Sequence, residues 1–255
     1  MRREDGGRPL LIDAHAHLRA SPPADSEVAL WVVPGVDAAR DAEAHALAAQ
    51  DPRLRCAVGL HPWFLPDGDA ALAAGLAALE VRAGLPGVVA IGETGLDRGR
   101  RAGPRAVQER AFTAQIALAR RLGLPLILHV VGRHGACLRA LREAGFPASL
   151  GGMVHDFGGP LETIPEWRAA GFCLSISPRS LRPASTPLDD RAPTLRPERL
   201  SFVRAIPDDS LLVETDDAGI AGLQEVVAAV ASARASSPEA IAVLTAVNAR
   251  RCLRL

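Results

Sequence analysis

Short apolar runs recur along the whole chain and alternate with longer stretches of mixed polarity. The apolar runs are rich in β-branched residues and cover positions 9–14, 30–35, 55–60, 87–92, 125–130, 152–155, 172–177 and 210–214. Alanine, leucine and arginine recur with helical spacing over 37–50, 69–82, 104–122, 134–144 and 161–170. A strand followed by a helix, repeated along the chain, predicts parallel βαβ units whose strands are covered on both faces.

The number of these units predicts the architecture. Eight units within 255 residues match an α/β fold of the (β/α)8 TIM-barrel type, and we expect a single domain over residues 1–255. An open, doubly wound sheet is the alternative, but no GxGxxG sequence opens the first helix. Residues 177–199 contain five prolines and five arginines without a hydrophobic period, which predicts a long loop after the seventh strand. The sequence leaves open whether that loop takes part in function or is only a solvent-exposed connection.

Charge and cysteine usage narrow the class of protein further. The 29 basic and 29 acidic residues cancel, which argues against a strongly basic nucleic-acid coat or an acidic tail. The four cysteines are far apart and form no CxxC pair, as expected in a reducing cytoplasm. The first residues lack the apolar core of a signal peptide, and no run reaches about 18 consecutive apolar residues. We therefore expect a cytoplasmic protein without a membrane span, and no pattern indicates an obligatory protein partner.

Side chains of the kinds that bind metal ions follow several of the predicted strands. They are His15, His17, Glu93, His129, His155 and Asp216. Taken singly, an HxH pair is a weak motif, and a lone histidine or glutamate can equally be a buried hydrogen-bonding group or an ion-pair partner. The carboxyl ends of barrel strands converge, however, and so many polar groups buried together would be poorly satisfied without a cation. The joint placement therefore predicts a metal site at the carboxyl ends of the strands.

The same residues belong to a set of longer motifs. These are DAHAHL at 13–18, VGLHPW at 58–63, AIGETGLD at 90–97, the segment 108–129, GMVHDFGG at 152–159, LLVETD at 211–216 and NARRCL at 248–253. Together they resemble the TatD-type deoxyribonucleases, which are metal-dependent hydrolases of the amidohydrolase superfamily. The resemblance covers nearly the whole chain, and the combination of motifs is far more specific than any one of them.

The resemblance implies which side chains hold the metals. The first site takes His15, His17, Glu93 and Asp216, and the second takes Glu93, His129 and His155. Two cations bridged by Glu93 would activate a water held between them, and Asp216 would orient that water and accept its proton, so Asp216 and Glu93 are the expected catalytic residues. We expect two divalent metal ions per chain, with Zn, Mn and Mg all left open.

The substrate contacts depart from the family pattern. The resemblance implies His61 as a substrate or phosphate contact, and the alternative is a loop histidine that caps nearby backbone. The family follows its third histidine with a small residue and an arginine, whereas this chain reads HVVG at 129–132 and continues with Arg133 and His134. We expect Arg133 and His134 on the substrate side, with the Arg133 guanidinium binding a phosphate.

Three functions fit these features. The leading hypothesis is a TatD-type phosphodiesterase that acts on DNA ends as an exodeoxyribonuclease. The alternatives are a hydrolase of a carboxylic ester or amide on the same fold, such as an aminoacyl-tRNA deacylase, and a non-catalytic metal-stabilised binding protein. The segment after Asp216 lacks the Asn-x-Pro element usual in the family, which leaves the substrate open. We expect Trp31, Trp63 and Trp167 to be packing residues rather than stacking platforms for bases.

Overall fold

Eight parallel strands form one sheet in the order of the sequence. The structure is a computed structural model that describes residues 11–181, 197–218 and 222–255. The strands are β1 (Leu11–Asp13), β2 (Val28–Pro34), β3 (Leu54–Val58), β4 (Val88–Asp97), β5 (Leu126–Val131), β6 (Gly152–Val154), β7 (Phe172–Ile176) and β8 (Leu211–Val213). Their number and parallel order are those predicted from the apolar runs.

Backbone hydrogen bonds link the last strand to the first. The Ala14 N–H donates to the Val213 carbonyl oxygen at 3.2 Å. Beyond the strands, the Asp216 N–H donates to the His15 carbonyl at 2.9 Å, and the His17 N–H donates to the Asp216 carbonyl at 3.2 Å. These bonds complete a nearly closed barrel, so the predicted TIM barrel is confirmed.

In the described part of the chain a helix follows every strand except β1, which leads directly to β2. They are α1 (Ala38–Gln50), α2 (Asp69–Ala83), α3 (Arg105–Leu122), α4 (His134–Glu143), α5 (Ile164–Ala169), α6 (Pro178–Leu181), α7 (Pro197–Ala205), α8 (Gly222–Ala233) and α9 (Pro238–Leu253). Local chemistry explains several of their ends. The Asp37 side chain accepts a hydrogen bond from the Arg40 N–H and caps α1, and Gly123 ends α3 in the left-handed conformation.

Two apolar clusters stabilise the barrel. Inside it, side chains of the strands pack on the last turns of α9, as Ile12, Ile127 and Leu212 do with Leu253. The larger cluster lies between the strands and the helices around them. No single helix among the described residues is long and apolar enough to cross a membrane. Helices α8 and α9 pass that test only as a pair bent by 107°, and both bury side chains in these clusters.

The structure differs from the predicted boundaries by more than two residues at three places. Strand β4 continues past the apolar run at 87–92 to Asp97, so Glu93 lies inside a strand. Only Ile164–Ala169 of the helix predicted at 161–170 is α-helical, and a 3₁₀ turn precedes it. The loop predicted at 177–199 is helical at both ends, in α6 and at the start of α7, and residues 182–196 lie outside the described chain. Both helices begin with proline, a residue that is common at the first position of a helix. Prolines in this segment are therefore compatible with a helix start as well as with a loop.

Candidate metal centre

A buried carboxylate ties the end of β1 to the end of β8. Asp13 Oδ2 accepts a hydrogen bond from the Thr215 hydroxyl at 2.6 Å, and Asp13 Oδ1 accepts one from the Thr215 N–H at 3.0 Å. Burial raises the pKa of Asp13 to about 7, while the hydrogen bonds from Thr215 act to lower it. With the backbone bonds between 15–17 and Asp216, this contact fixes His15 and His17 beside Asp216.

Glu93 lies at the centre of the barrel mouth, the opening at the carboxyl ends of the strands. Its side chain is 2% exposed, and its Oε1 lies 3.1 Å from His17 Nε2 and 3.4 Å from His15 Nε2. Asp216 Oδ1 approaches the same two imidazoles, at 3.5 Å from His17 Nε2 and 3.8 Å from His15 Nε2. The four residues predicted for the first metal therefore form one compact group.

The other oxygen of Glu93 faces a second group. Glu93 Oε2 lies 3.0 Å from His155 Nε2, and 3.8 Å from both His129 Nδ1 and His61 Nε2. His129 Nδ1 and His155 Nε2 are 2.9 Å apart. The structure thus brings together the three residues predicted for the second metal, and it adds His61 to their surroundings.

The chemistry of these side chains fits divalent cations. His15 Nδ1, His155 Nδ1 and Glu93 Oε1 are buried and have no partner with hydrogen-bond geometry in the described chain. His15 Nε2 and His17 Nε2 face each other at 3.3 Å. Candidate ligand atoms within 4.8 Å of one another include those of His15, His17 and Glu93, and those of His61, Glu93 and His129. Imidazole nitrogens and carboxylate oxygens are ligands of Zn²⁺ and Mn²⁺, and a cation beside His15 Nε2 and His17 Nε2 would satisfy the unpaired Glu93 Oε1.

Burial and neighbouring charges shift the pKa values at the barrel mouth. Burial alone would raise the pKa of Glu93, but His155 and His15 hold it well below its usual range. Burial raises the pKa of Asp216. Burial also lowers the pKa of His61 to about 3. Near neutral pH Glu93 is therefore a carboxylate and His61 a neutral imidazole, and these are the states in which such groups bind metal ions.

Asp97, at the end of β4, orients one of the predicted ligands, and the sequence reasoning assigned it no role. Its Oδ2 accepts hydrogen bonds from His129 Nε2 at 2.9 Å and from Trp63 Nε1 at 2.6 Å. Burial acts to raise the pKa of Asp97, but the hydrogen bond from His129 and those from Gly99 and Trp63 lower it to about 2. Because Nε2 of His129 donates to this carboxylate, its Nδ1 faces Glu93 as an acceptor. The even spacing of Glu93 and Asp97 on one strand is the signal that could have identified Asp97.

Two further features position the histidines. Glu214 is fully buried and accepts a hydrogen bond from the Ser175 hydroxyl at 2.5 Å, and its Oε1 lies 3.7 Å from His155 Nδ1. Strands β4 and β5 approach closely at Gly95, which has a φ of 145°. A side chain at Gly95 would collide with the carbonyl oxygen of His129, so glycine permits the register that brings His129 to the mouth.

His61 lies on a turn after β3 that hydrogen bonds hold firmly. The Leu60 N–H donates to Gln115 Oε1 at 2.9 Å, and the Gln115 amide donates back to the Leu60 carbonyl at 3.1 Å. His61 Nδ1 accepts a hydrogen bond from the Trp63 N–H at 3.1 Å. The ring therefore caps nearby backbone through one nitrogen, as the alternative interpretation expected, and presents the other nitrogen to Glu93.

A cavity of about 340 Å³ opens over these groups. His61, Glu93, His129, His155 and Asp216 line it. The arginines of the described chain that line it are Arg19, Arg40, Arg101 and Arg179. Asp37, Glu43 and Asp217 line the cavity as well; Arg19 and Arg40 pair with Glu43, and Arg179 lies 3.7 Å from Asp217. The cavity therefore combines a carboxylate and imidazole floor with walls of mixed charge, whose arginines can bind an anionic group of a substrate.

Arg133 and His134, expected on the substrate side, are not among the residues that line this cavity. Gly132 turns the chain with a φ of 62°, and α4 begins immediately afterwards at His134. The His134 ring is buried and accepts a hydrogen bond from Trp167 Nε1 at 3.2 Å. Burial lowers the pKa of His134 to about 4. The start of the helix directs His134 into the packing beside Trp167, so the structure gives it a structural contact instead.

The chain is similar to known proteins in sequence and in fold. The family model described as TatD related DNase matches residues 12–254. A relative from Rahnella sp., named 3'-5' ssDNA/RNA exonuclease TatD, is 32% identical over 88% of this chain and 86% of its own. A relative from Mycobacterium tuberculosis, named uncharacterized metal-dependent hydrolase TatD, is 33% identical over 96% of this chain and 98% of its own. The crystal structure of YJJV, a TatD homologue from Escherichia coli, matches with a TM-score of 0.77 and 26% identity, covering 96% of this chain and 98% of that one.

These similarities, taken with the barrel and its cluster of histidines and carboxylates, define a metal-dependent hydrolase. The chain belongs to the TatD-related DNase family, whose model spans nearly all of the sequence. The resemblance inferred from the motifs is confirmed. Membership of this family also favours an enzyme over the non-catalytic binding protein considered above.

Proposed function

We propose that this protein is a two-metal phosphodiesterase that removes nucleotides from the end of a single-stranded nucleic acid. The position of Glu93 carries the proposal, because its Oε1 faces His15 and His17 while its Oε2 faces His155. A carboxylate between two groups of imidazoles can bridge two cations. The first cation would take His15, His17, Glu93 and Asp216, and the second Glu93, His129 and His155. Mixed nitrogen and oxygen ligation favours Zn²⁺ or Mn²⁺ over Mg²⁺.

The protein's own groups supply orientation and proton transfer. When bound, such a pair of ions stabilises the charge on phosphoryl oxygens and promotes the ionisation of water near neutral pH. Asp216 is the proposed proton acceptor, and its Oδ1 faces His15 and His17 while its Oδ2 lies 3.4 Å from Arg179 Nη2. The Asp97 hydrogen bond holds the His129 ring in the orientation that presents Nδ1 to the metal centre.

The walls of the cavity support a nucleotide as substrate. A volume of about 340 Å³ suits a small part of a strand and excludes a duplex segment. Arg101 and Arg179 line it, and a planar guanidinium can bind a phosphate through two hydrogen bonds. We assign the phosphate contact to Arg179 and not to Arg133, because Arg179 lies in the cavity, 3.4 Å from Asp216 Oδ2. The relative from Rahnella sp. is named as an exonuclease of single-stranded DNA and RNA, which supports the same substrate class.

The test compares linear and circular substrates on protein purified without chelator and analysed for metal. End-labelled single-stranded DNA and RNA, a sealed circular strand of equal length, and a panel of carboxylic esters and amides are supplied to the wild type and to Glu93→Gln. We expect the wild type to shorten the linear strands from one end and the variant to be inactive. Rapid cleavage of the circle would contradict the exonuclease assignment. Turnover confined to the esters or amides would contradict a phosphodiesterase.

A further inference from the structure

Two aromatic side chains and an arginine form one wall of the cavity at the barrel mouth. Phe64 is 45% exposed and lines the cavity together with Trp63 and Arg101. The guanidinium carbon of Arg101 lies 4.5 Å from the centroid of the Trp63 ring. We call these three residues the aromatic wall. An exposed phenyl ring beside a stacked guanidinium is a surface that binds flat aromatic groups.

Hydrogen bonds hold the aromatic wall in place. The Phe64 N–H donates to the His61 carbonyl at 2.9 Å, and the Trp63 N–H donates to His61 Nδ1 at 3.1 Å. Trp63 Nε1 donates to Asp97 Oδ2 at 2.6 Å, the oxygen that also accepts from His129. A surface arranged before the ligand arrives loses less conformational entropy on binding. The wall is therefore a prepared surface, and Trp63 supports it from the edge of the cavity, unlike the fully buried Trp31 and Trp167.

The aromatic wall lies next to the predicted ligands of the second metal. The centroid of the His61 ring is 5.7 Å from that of Phe64 and 4.3 Å from that of His129. One imidazole ring thus separates Phe64 from the group around Glu93 Oε2. A nucleotide whose phosphate reaches the metal centre would extend its sugar and base across the His61 ring toward Phe64. The wall is accordingly placed to meet the base, while the floor of the cavity meets the phosphate.

We propose that the aromatic wall binds the nucleobase of the nucleotide that is cleaved. The inference rests on the proposed function, since it requires a nucleic acid strand at the metal centre. A nucleobase is the occupant that matches the wall, because its flat ring stacks on Phe64 and its polar edge can meet the Arg101 guanidinium. A cavity of about 340 Å³ is too small for a helix or strand of a protein partner. Stacking depends little on which base is present. We therefore expect the wall to bind the base whichever of the four it is.

The experiment separates stacking from charge and from apolar volume. Phe64→Leu keeps an apolar side chain without an aromatic face, and Arg101→Lys keeps the charge without a planar group. Binding is measured by fluorescence anisotropy in the metal-loaded Asp216→Asn variant, which is expected not to hydrolyse the strand. One oligonucleotide is unmodified, a second lacks the base of its 3′-terminal nucleotide, and a third carries the fluorescent base 2-aminopurine there. Val247→Ala, which removes an exposed apolar side chain from α9, is the matched control.

We expect Phe64→Leu to weaken binding of the unmodified strand about tenfold and to leave binding of the strand without a terminal base unchanged. Terminal 2-aminopurine should be quenched by the wall and regain fluorescence in Phe64→Leu. Arg101→Lys should also reduce the quenching, and Val247→Ala should change neither signal. In the protein with Asp216 intact, Phe64→Leu should raise KM for the unmodified strand and leave kcat unchanged.

Several results would overturn the inference. Equal weakening of both strands by Phe64→Leu would show that the ring has no contact with the base. Equal affinity of the protein with an intact aromatic wall for strands with and without a terminal base would likewise show that the wall does not contact the base. In either case hydrolysis of linear strands by the wild type would leave the proposed function standing. Failure of the wild type to bind or hydrolyse any strand would overturn the proposed function, and the base site with it.

Discussion

Asp97 offers the sharpest test of how the metal centre is organised, because it touches no proposed metal yet orients one ligand. Its Oδ2 accepts hydrogen bonds from both His129 Nε2 and Trp63 Nε1. In Asp97→Asn only one of the two terminal atoms is an acceptor, and the negative charge is lost. An amide nitrogen facing His129 would favour the ring tautomer that carries its proton on Nδ1. That nitrogen faces Glu93 Oε2 and His155, where the second metal requires a lone pair.

The size of the effect follows from the bond that is lost. A hydrogen bond to a charged group contributes about 1.5–3 kcal/mol, which corresponds to about 10- to 150-fold in an equilibrium constant. Loss of a carboxylate that orients a metal-binding histidine generally lowers metal affinity by about 10- to 100-fold. We therefore expect Asp97→Asn to weaken the second metal site within this range. The first site, formed around Glu93 Oε1, should keep its affinity because His15 and His17 make no contact with Asp97 in the described structure.

The assay is a competition between metal-free protein and a chromophoric chelator, which resolves a tight and a weakened site in one titration. Asp209→Asn is the matched control, since Asp209 also has a pKa lowered to about 2, in its case mainly by a hydrogen bond from Arg168. Asp209 lies outside the cavity of the metal centre and should leave both sites unchanged. Equal weakening of both sites by Asp97→Asn, or no weakening of either, would refute the reasoning.

Three other predictions, made through substitutions, test separate parts of the structure. Asp216→Asn should lower kcat on a labelled strand by at least about 100-fold while part of the metal remains, because a general base contributes on that scale, and Asp217→Asn should keep most of the activity. Glu93→Gln should weaken both metal sites and His129→Ala mainly the second, as measured by elemental analysis after reconstitution. His134→Gln should reduce the loss of stability in acid. The folded pKa of His134 is about 4, against an ordinary 6.5, so the unfolded chain binds an extra proton between these values. Wild-type stability therefore falls as the pH drops through this window, by up to about 3 kcal/mol, and denaturant unfolding of the metal-loaded proteins at both ends of the window measures the difference.

Each of these predictions has a result that would contradict it. Wild-type activity in Asp216→Asn together with an inactive Asp217→Asn would move the proton acceptor to the neighbouring residue. Full metal content in Glu93→Gln would exclude a bridging carboxylate. An unchanged pH dependence in His134→Gln would mean that the buried ring does not resist protonation. His45→Gln is the control for that comparison, because His45 contacts the Pro86 carbonyl outside the core.

The meeting of the predicted ligand residues at one mouth could be inferred from the sequence because the barrel repeats one geometric rule. Every parallel strand delivers its carboxyl end to the same mouth, so a ligand-type residue after a strand is placed there regardless of its separation along the chain. His15 and Asp216 are 201 positions apart and meet through backbone pairing of two strand ends. The same rule placed His129 and His155. The rule does not predict where a side chain points once the strand has ended.

Arg133 shows where that rule stops. Counting residues from His129 predicts Arg133 at the rim; the chain turns at Gly132 before α4 begins, and Arg133 is not among the residues that line the cavity. Arg101 and Arg179 reach the cavity from other loops, and no spacing relative to a ligand marks them. Contacts made after the strand ends depend on loop conformation, which the alternation of apolar and polar residues does not encode.

Trp63 and Phe64 illustrate a second limit, since large aromatic residues are most often buried and composition alone favours packing. Phe64 differs from buried packing residues because it is 45% exposed, and Trp63 differs because its indole donates to Asp97 Oδ2, the oxygen that also accepts from His129. A carboxylate shared in this way couples two functions that the sequence presents as distant motifs. The position of the proposed base surface relative to the predicted metal ligands then depends on hydrogen bonds of 2.6 Å and 2.9 Å to one atom, so a shift of either ring would alter the distance between the proposed base and phosphate sites. Asp97 thus connects the turn that carries Trp63 with the strand that carries Glu93.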